Sequence, residues 1–243
     1  DNFSLNIKRF EDICDAIVDA GHNDLRYIIQ ASSTGIASSE TLAEKMAKAG
    51  FRIVFLGIEN VSKENLKNLK KGNIIEKTKI AVKRLHEQGI MIVGGMIIGL
   101  PNDKEEDIAE NYEFFVGLDI DFFADQILTP YPKTPLREEM IEKGLVTNKY
   151  DYSRYNCFWA NIRTNYLTPD ELQFLRWKYN KKYADYICTT KAFIKNYPAA
   201  YYYRTYFLRP YRKLKNSIFH NKLTERELYR EDMNRAEEMN KFF

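Results

Sequence analysis

Apolar positions along this chain follow two rhythms: unbroken β-branched runs closed by turn residues, and stripes at helical spacing. Both meet between Gly89 and Leu136. The run from Ile90 to Leu100 ends in Gly-Leu-Pro, and a short apolar run with such boundaries predicts a buried strand. Asn102 or Asp103 is then placed to cap a helix. Asp103 and Glu106 stand at capping-box spacing, and acidic residues fill the first turn, where the helix dipole favours them. Ile108, Tyr112 and Phe115 recur at i, i+4 and i+7, so one face of that helix is buried. Gly117 ends it, and a second strand-like run from Ile120 to Thr129 leads into the turn Pro130–Pro135. Polar and glycine residues gather where these strands end, which is where α/β proteins build sites.

The same rhythms parse the flanks. A helix is expected from Ser4 to Ala20, with Phe10, Ile13 and Ile17 on one face and Gly21 as its cap. A strand follows from Leu25 to Ala31. Ser38 or Ser39 caps a helix carrying Leu42 and Met46, Gly50 closes it, and Phe51 to Glu59 is the next strand. Ser62 opens a helical region that reaches Gln88 with an interruption near Lys71-Gly72, and a short helix runs from Leu136 to Lys143. Strands alternating with helices through short connections predict a parallel sheet with right-handed crossovers. The chain nevertheless opens on a helix, and four strands are too few for a closed eight-stranded barrel. Either the sheet is an open wound one or its first strands are encoded upstream of Asp1, and a start at Asp rather than Met favours the second reading.

Beyond Val146 the character changes, which divides the chain into 1–146 and 147–243. Thr168-Pro169-Asp170-Glu171 is a helix start, and Leu172, Leu175, Tyr179 and Tyr183 make the stripe that follows it. From Tyr186 to Thr224 there is no acidic residue, while Lys191, Lys195, Arg204, Arg209, Arg212, Lys213, Lys215 and Lys222 are interleaved with aromatics. The last segment mixes both signs and reads as a solvated helix. Whole-chain composition adds little: 37 basic and 34 acidic residues give +3. Cys14, Cys157 and Cys188 share no motif spacing, which argues against a disulfide framework and suits a reducing cytoplasm. The three histidines make no zinc pattern, and the longest apolar run is too short to span a bilayer.

Candidate chemistry sits at the strand ends. Glu59 closes an apolar strand in Gly57-Ile58-Glu59-Asn60, where a carboxylate can accept two hydrogen bonds from a vicinal diol such as a ribose. Helix capping or an ion pair is the competing role. Gly94, Gly95 and Gly99 let a ligand approach the backbone, or mark a bulge or close helix packing. Their spacing is not a dinucleotide fingerprint. Gln30 and Ser32 are small polar candidates at another strand end, with loop-backbone satisfaction as their alternative role.

Taken in order, four stretches resemble motifs of one family. They are Asp1-Asn2-Phe3, Gly57-Ile58-Glu59-Asn60, Gly95-Met96-Ile97-Ile98-Gly99-Leu100-Pro101 and Leu128-Thr129-Pro130-Tyr131-Pro132-Lys133-Thr134-Pro135-Leu136. The family is the radical S-adenosylmethionine (SAM) superfamily, in the cobalamin-dependent branch that includes the anaerobic magnesium-protoporphyrin IX monomethyl ester cyclase. The spacer from Ser62 to Gly72 resembles the family's fourth crossover, and Phe207-Leu208-Arg209-Pro210 a segment that follows the barrel. The resemblance implies an incomplete (β/α)6 partial TIM barrel, of which this chain carries the last four parallel strands, followed by an α-helical C-terminal extension. It implies that Glu59 holds the SAM ribose, that the backbone at Ile127 and Leu128 meets the adenine, and that Gly95, Gly99 and Asn102, in or beside the fifth-strand motif, lie at the site, which the strand-end candidates Gln30 and Ser32 would share. Asn102 stands where the family often has an acidic residue. The Cys-x3-Cys-x2-Cys loop that binds the 4Fe–4S cluster is absent from this sequence, and neither Cys14, Cys157 nor Cys188 replaces it by spacing.

On this resemblance the expected function is that of a radical SAM enzyme. The parent cleaves SAM reductively to act on a small-molecule substrate that the sequence does not identify, with a cobalamin domain and the cluster ligands upstream in the same protein. The chain alone is expected to be silent in radical chemistry, and its first strand to offer an edge for self-association. A rival reading makes Tyr186–Thr224 a nucleic-acid-binding or peripheral membrane-binding module, since aromatics among Lys and Arg suit stacking and phosphate contact. Tyr-rich helices packed on the barrel are the plainer account, so no nucleic-acid partner is expected.

Overall fold

A computed structural model of the chain describes residues 6–61, 75–219 and 223–240. The first part runs α1 (Ile7–Asp19), β1 (Tyr27–Ser32), α2 (Ser33–Ser38), α3 (Leu42–Lys48), β2 (Phe51–Glu59), α4 (Ile75–Glu87), β3 (Met91–Ile98), α5 (Glu105–Gly117), β4 (Phe122–Ile127) and α6 (Pro135–Glu142). The extension carries α7 (Pro169–Tyr183), α8 (Lys191–Asn196), α9 (Pro198–Tyr203), a π-helical turn (Arg204–Leu208), α10 (Arg209–Phe219) and α11 (Glu225–Asn240). Among the described residues the strands form one parallel sheet in the order β1-β2-β3-β4, as the alternation predicts, and it does not close into a barrel.

One face of the sheet is the core. Val54, Leu56, Ile58, Ile92, Met96, Ile98 and Ile127 are buried there with Leu85, Ile108, Tyr112 and Phe115 of the crossover helices. Gly94 lets α5 lie close against β3, because a Cβ there would come within 2.9 Å of Phe115. Leu172, Leu175, Tyr179 and Tyr183 of α7 join the same cluster, so residues on both sides of position 146 share one core. Thr168 and Glu171 form the capping box read from the sequence, with Thr168 N–H donating to Glu171 Oε2 at 2.8 Å. The opposite face is partly open. Its N-terminal end is covered by Cys188, Ala192 and Phe193, which pack on Met91 with Ile53 and Phe122.

Local boundaries depart from the sequence reading in instructive ways. The cap of α5 is Lys104, whose N–H donates to Asp107 Oδ2 at 2.9 Å, and not Asn102 or Asp103. Asp103 is buried and accepts from the Gly99 and Leu100 N–H groups at 2.8 and 3.0 Å. Gly99 has φ +85°, and that left-handed turn aims two amides at one carboxylate, which outcompetes capping. The cap of α1 is Asn6, accepting from Arg9 N–H at 3.0 Å. The helix read as capped by Ser38 or Ser39 is preceded by a further one, α2, capped by Ser32 through Gly35 N–H at 3.0 Å. Ser39 accepts from Leu42 N–H at 3.1 Å at the start of α3. The expected helix start at Ser4, the motif Asp1-Asn2-Phe3 and the segment from Ser62 to Gly72 lie outside the described residues.

Candidate functional site

Where the strands end on the open face, Gln30 of β1, Glu59 of β2, Gly95 of β3 and Gln126 of β4 line one cavity of about 340 Å³, with Phe55, Met96 and Ile97. Strand geometry explains the set. Residues two apart share a face, and in register across a parallel sheet they line up in rows, here Gln30 with Phe55 and Ile97 with Gln126.

Glu59 needs a device to join them. The β2–β3 register slips between Gly57 and Glu59, and Glu59 itself has φ +72°. A bulge with a left-handed non-glycine residue re-aims the side chain at a strand end. Gly57 leaves room for the result, since a Cβ there would sit 3.1 Å from Glu59 Oε1. The turn is then locked from behind: Val61 N–H donates to Asn111 Oδ1 of α5 at 2.8 Å, and Asn60 Nδ2 reaches Ile97 O at 3.5 Å. The tetrad Gly-Ile-Glu-Asn thus reads as space, core anchor, carboxylate and buried tether. A half-buried carboxylate on an open shelf is suited to accepting two hydroxyl hydrogens from a diol. Gly95 supplies a different service. The Phe55 ring lies over it, and a Cβ would come within 2.8 Å of Phe55 Cζ.

The other sequence candidates stand elsewhere. Ser32 caps α2. Gly99 is packed under Leu172, whose Cδ2 would lie 2.9 Å from an added Cβ. Asn102 Oδ1 accepts from Asn165 Nδ2 of the extension at 2.9 Å. The Ile127 and Leu128 N–H groups donate to Cys157 O at 2.8 Å and Ile98 O at 2.9 Å, so a base edge meets no donor from them. Thr129, at the same rim, donates to Ile127 O at 3.0 Å. Sequence reasoning missed Gln126 and Phe55. Their signal was the two-residue alternation of Phe122, Ala124 and Gln126, which puts Gln126 on the open face. It also missed Asp125 on the other face. That buried carboxylate accepts from Tyr112 OH and Asn180 Nδ2 and pairs with Arg176 Nε at 3.2 Å. Burial and the Asp125 charge hold the Tyr112 hydroxyl well above its usual range. Three of these four residues lie on different elements with no shared spacing, so no sequence pattern announces them.

The three cysteines do not fit an iron–sulfur cluster. Cys157 pairs with Ile127 at the end of β4, whereas Cys188 N–H donates to Asp121 O at 3.0 Å, just before that strand begins. The six-residue rise between those points is about 20 Å, far beyond a shared cluster. Cys14 is a buried residue of α1, and burial pushes its thiol up to about 12, the opposite of a ligating thiolate. No group of three His, Cys, Asp or Glu residues able to hold a metal occurs among the described residues. Among them, no helix is long and apolar enough to cross a membrane.

The basic aromatic segment splits in two. Its first half packs, with Phe193 edge-on to Phe122 at 5.7 Å. In its second half Tyr203, Phe207, Tyr211, Leu214 and Ile218 are exposed.

Comparison with known proteins bears on these features. Residues 2–115 match the family profile described as Radical SAM superfamily. An uncharacterized methyltransferase of Pyrococcus horikoshii is 30% identical over 196 residues, 81% of this chain and 41% of that protein. The anaerobic magnesium-protoporphyrin IX monomethyl ester cyclase of Cereibacter sphaeroides is 28% identical over 170 residues, 70% of this chain and 27% of that protein. The chain therefore spans well under half the length of these curated relatives. In fold it is similar to the radical SAM methyltransferase TsrM of Kitasatospora setae, solved with cobalamin and an iron–sulfur cluster. That match has a TM-score of 0.53 and 23% identity, over 62% of this chain and 29% of the other.

Proposed function

We propose, from the membership of residues 2–115 in the radical SAM superfamily, that this chain supplies the nucleoside-holding wall of a radical SAM enzyme acting on a small molecule. The observation that carries the reading is the convergence of Gln30, Glu59, Gly95 and Gln126 on one cavity at the C-terminal ends of parallel strands. In it Glu59 accepts from the ribose hydroxyls of SAM, and Gln30 and Gln126 offer amide groups to the polar edges of the ligand. Ser32, Gly99 and Asn102 serve the wall indirectly, through the cap, the turn and the tie to the extension that they form. Ile127 and Leu128 serve it indirectly too, through the backbone bonds to Cys157 and Ile98 that fix the end of β4. The cluster ligands lie outside the described residues, so no step of SAM cleavage is assigned to them. A cobalamin-binding part elsewhere in the protein and an upstream remainder beside β1 belong to the same proposal, as does a division of roles between 1–146 and 147–243. Three free cysteines suit a reducing compartment such as the cytoplasm.

Equilibrium binding of SAM to the protein, wild type against Glu59→Gln, tests the central claim. The amide keeps the shape and loses charge-assisted hydrogen bonds, so affinity falls by about 1.5–3 kcal/mol, or roughly tenfold to a hundredfold. Equal affinity would remove Glu59 from the ligand and return it to a structural role.

A further inference from the structure

We infer that Arg204, Arg209 and Arg212 form a binding site for a phosphate-type oxyanion at the end of the sheet opposite the Glu59 cavity. The π-helical turn at Arg204–Leu208 is what assembles it. An α-helix aligns residues three and four apart. A π turn widens the interval, so Arg204 and Arg209, five apart, come to the same side. Arg204 Nη2 donates to Ala184 O and Arg209 Nη2 to Asp185 O, adjacent carbonyls just beyond the C-terminal end of α7. The two guanidinium groups are therefore side by side. Arg212 lies close enough for its charge, after the larger effect of burial, to help hold Arg204 below its usual range, together with Arg209.

Several donors of these groups lack an acceptor. Arg204 Nε and both Arg212 Nε and Nη2 are buried and meet no hydrogen-bond partner among the described residues. Arg209 Nε has an ion pair with Asp185 Oδ1 at 3.1 Å. Asp185 is thus the one carboxylate shown paired with this cluster, and the segment itself offers no other, since Tyr186 to Thr224 contains no acidic residue. Buried donors of charged groups without acceptors are rare in folded proteins, and each calls for a bound partner. Forked guanidinium donors from three side chains suit a tetrahedral oxyanion better than a single carboxylate or a neutral group. The position is distinct from the nucleoside cavity. Cys188, whose thiol feels the Arg204 charge, bonds to Asp121 O before β4 begins, whereas Gln126 is at the other end of that strand.

The oxyanion could be borne by a soluble phosphate compound or by a phospholipid headgroup. The second source is kept in view by Tyr203, Phe207, Tyr211, Leu214 and Ile218, exposed on the same helical segment. The test is a calorimetric titration of the protein with inorganic phosphate at fixed ionic strength, beside flotation with phosphatidylcholine vesicles with and without phosphatidylglycerol. Saturable phosphate binding in the wild type, weakened about tenfold or more in Arg212→Gln and less in Arg212→Lys, is the expected result. Flotation that needs phosphatidylglycerol and is lost in Arg212→Gln assigns the headgroup. Phosphate binding without flotation assigns a soluble compound. A wild type that binds neither phosphate nor anionic vesicles overturns the site without recourse to any variant. So does binding that Arg212→Gln leaves unchanged.

Discussion

Among the described residues, the outward edge of β4 is met by the extension, whereas that of β1 is not. Three contacts finish the β4 side: Cys188 N–H to Asp121 O at 3.0 Å, Arg176 Nε to Asp125 O at 3.1 Å, and Ile127 N–H to Cys157 O at 2.8 Å. None comes from a strand. The row Ile28–Ile53–Met91 across the open face shows the same asymmetry. Met91 is fully buried beneath the Phe193 cluster, while Ile28 is 70% exposed and Leu25, just before β1, 53%. A sheet edge can thus be sealed by loop carbonyls, a guanidinium and a stray amide as well as by another strand. The seal here is built at one side only, and the other side keeps the apolar character of a strand that expects a neighbour.

The seal at β4 should be the more fragile under substitution, because it is polar and buried. Asp125→Ala removes the carboxylate acceptor for Tyr112, Asn180 and Arg176 together, and leaves a largely buried guanidinium without its counter-charge. The expected loss in urea unfolding is about 3–5 kcal/mol. Asp125→Asn, which keeps the volume and part of the hydrogen bonding, should lose less. A loss under about 1 kcal/mol for Asp125→Ala would show that the extension is held by its apolar stripe alone, at Leu172, Leu175, Tyr179 and Tyr183.

Two of the three cysteines lie along that same sealed edge, which sharpens the comparison chemically. Cys157 and Cys188 are fixed to opposite ends of β4 by their backbone, so neither can approach the other without unmaking the edge. Anaerobic reconstitution of this chain with iron and sulfide should give less than one 4Fe–4S cluster per chain, and no 5′-deoxyadenosine on reduction with SAM. A stoichiometric cluster signal with SAM cleavage would mean that these cysteines move much further than the edge contacts allow.

How much of this was readable beforehand depended on whether a feature repeats. The four strands, their parallel order and the buried faces of α5 and α7 follow from apolar periodicity, which is a local property. The carboxylate at Glu59 was legible because it ends a strand, and the structure adds the slip and left-handed backbone that turn it inward. Asp103 was misread as a cap because its spacing to Glu106 is right, while the competing amides at Gly99 and Leu100 depend on a turn that spacing does not reveal. Gly99 and Asn102 have motif positions yet face α7 and Asn165, partners contributed by residues 60 and more positions away. The Asp125 network was invisible for the same reason, whereas Arg204, Arg209 and Arg212 were legible as basic residues but not as a cluster, because spacing does not reveal the π-helical turn that groups them. Contacts between side chains distant in sequence leave no period.

On the unsealed side the expected change in stability is smallest. Ile28 projects from β1 with most of its surface in water, so replacing it by lysine removes few packed atoms, and unfolding free energy should change by no more than about 0.5 kcal/mol. Association should change more. An exposed apolar edge strand invites pairing with a second copy, and an outward lysine is the device that natural sheets use to discourage it. Sedimentation of the wild type is therefore expected to show a concentration-dependent larger species that Ile28→Lys suppresses. If the β1 edge is instead occupied by an upstream part of the same protein, the two proteins will sediment alike as monomers when that part is present and differ when it is absent. Equal self-association of both in its absence would place the contact elsewhere, with the exposed stripe at Tyr203, Phe207 and Tyr211 as the next surface to substitute. A wild type that stays monomeric at all concentrations would show that an open strand edge needs no partner to remain soluble.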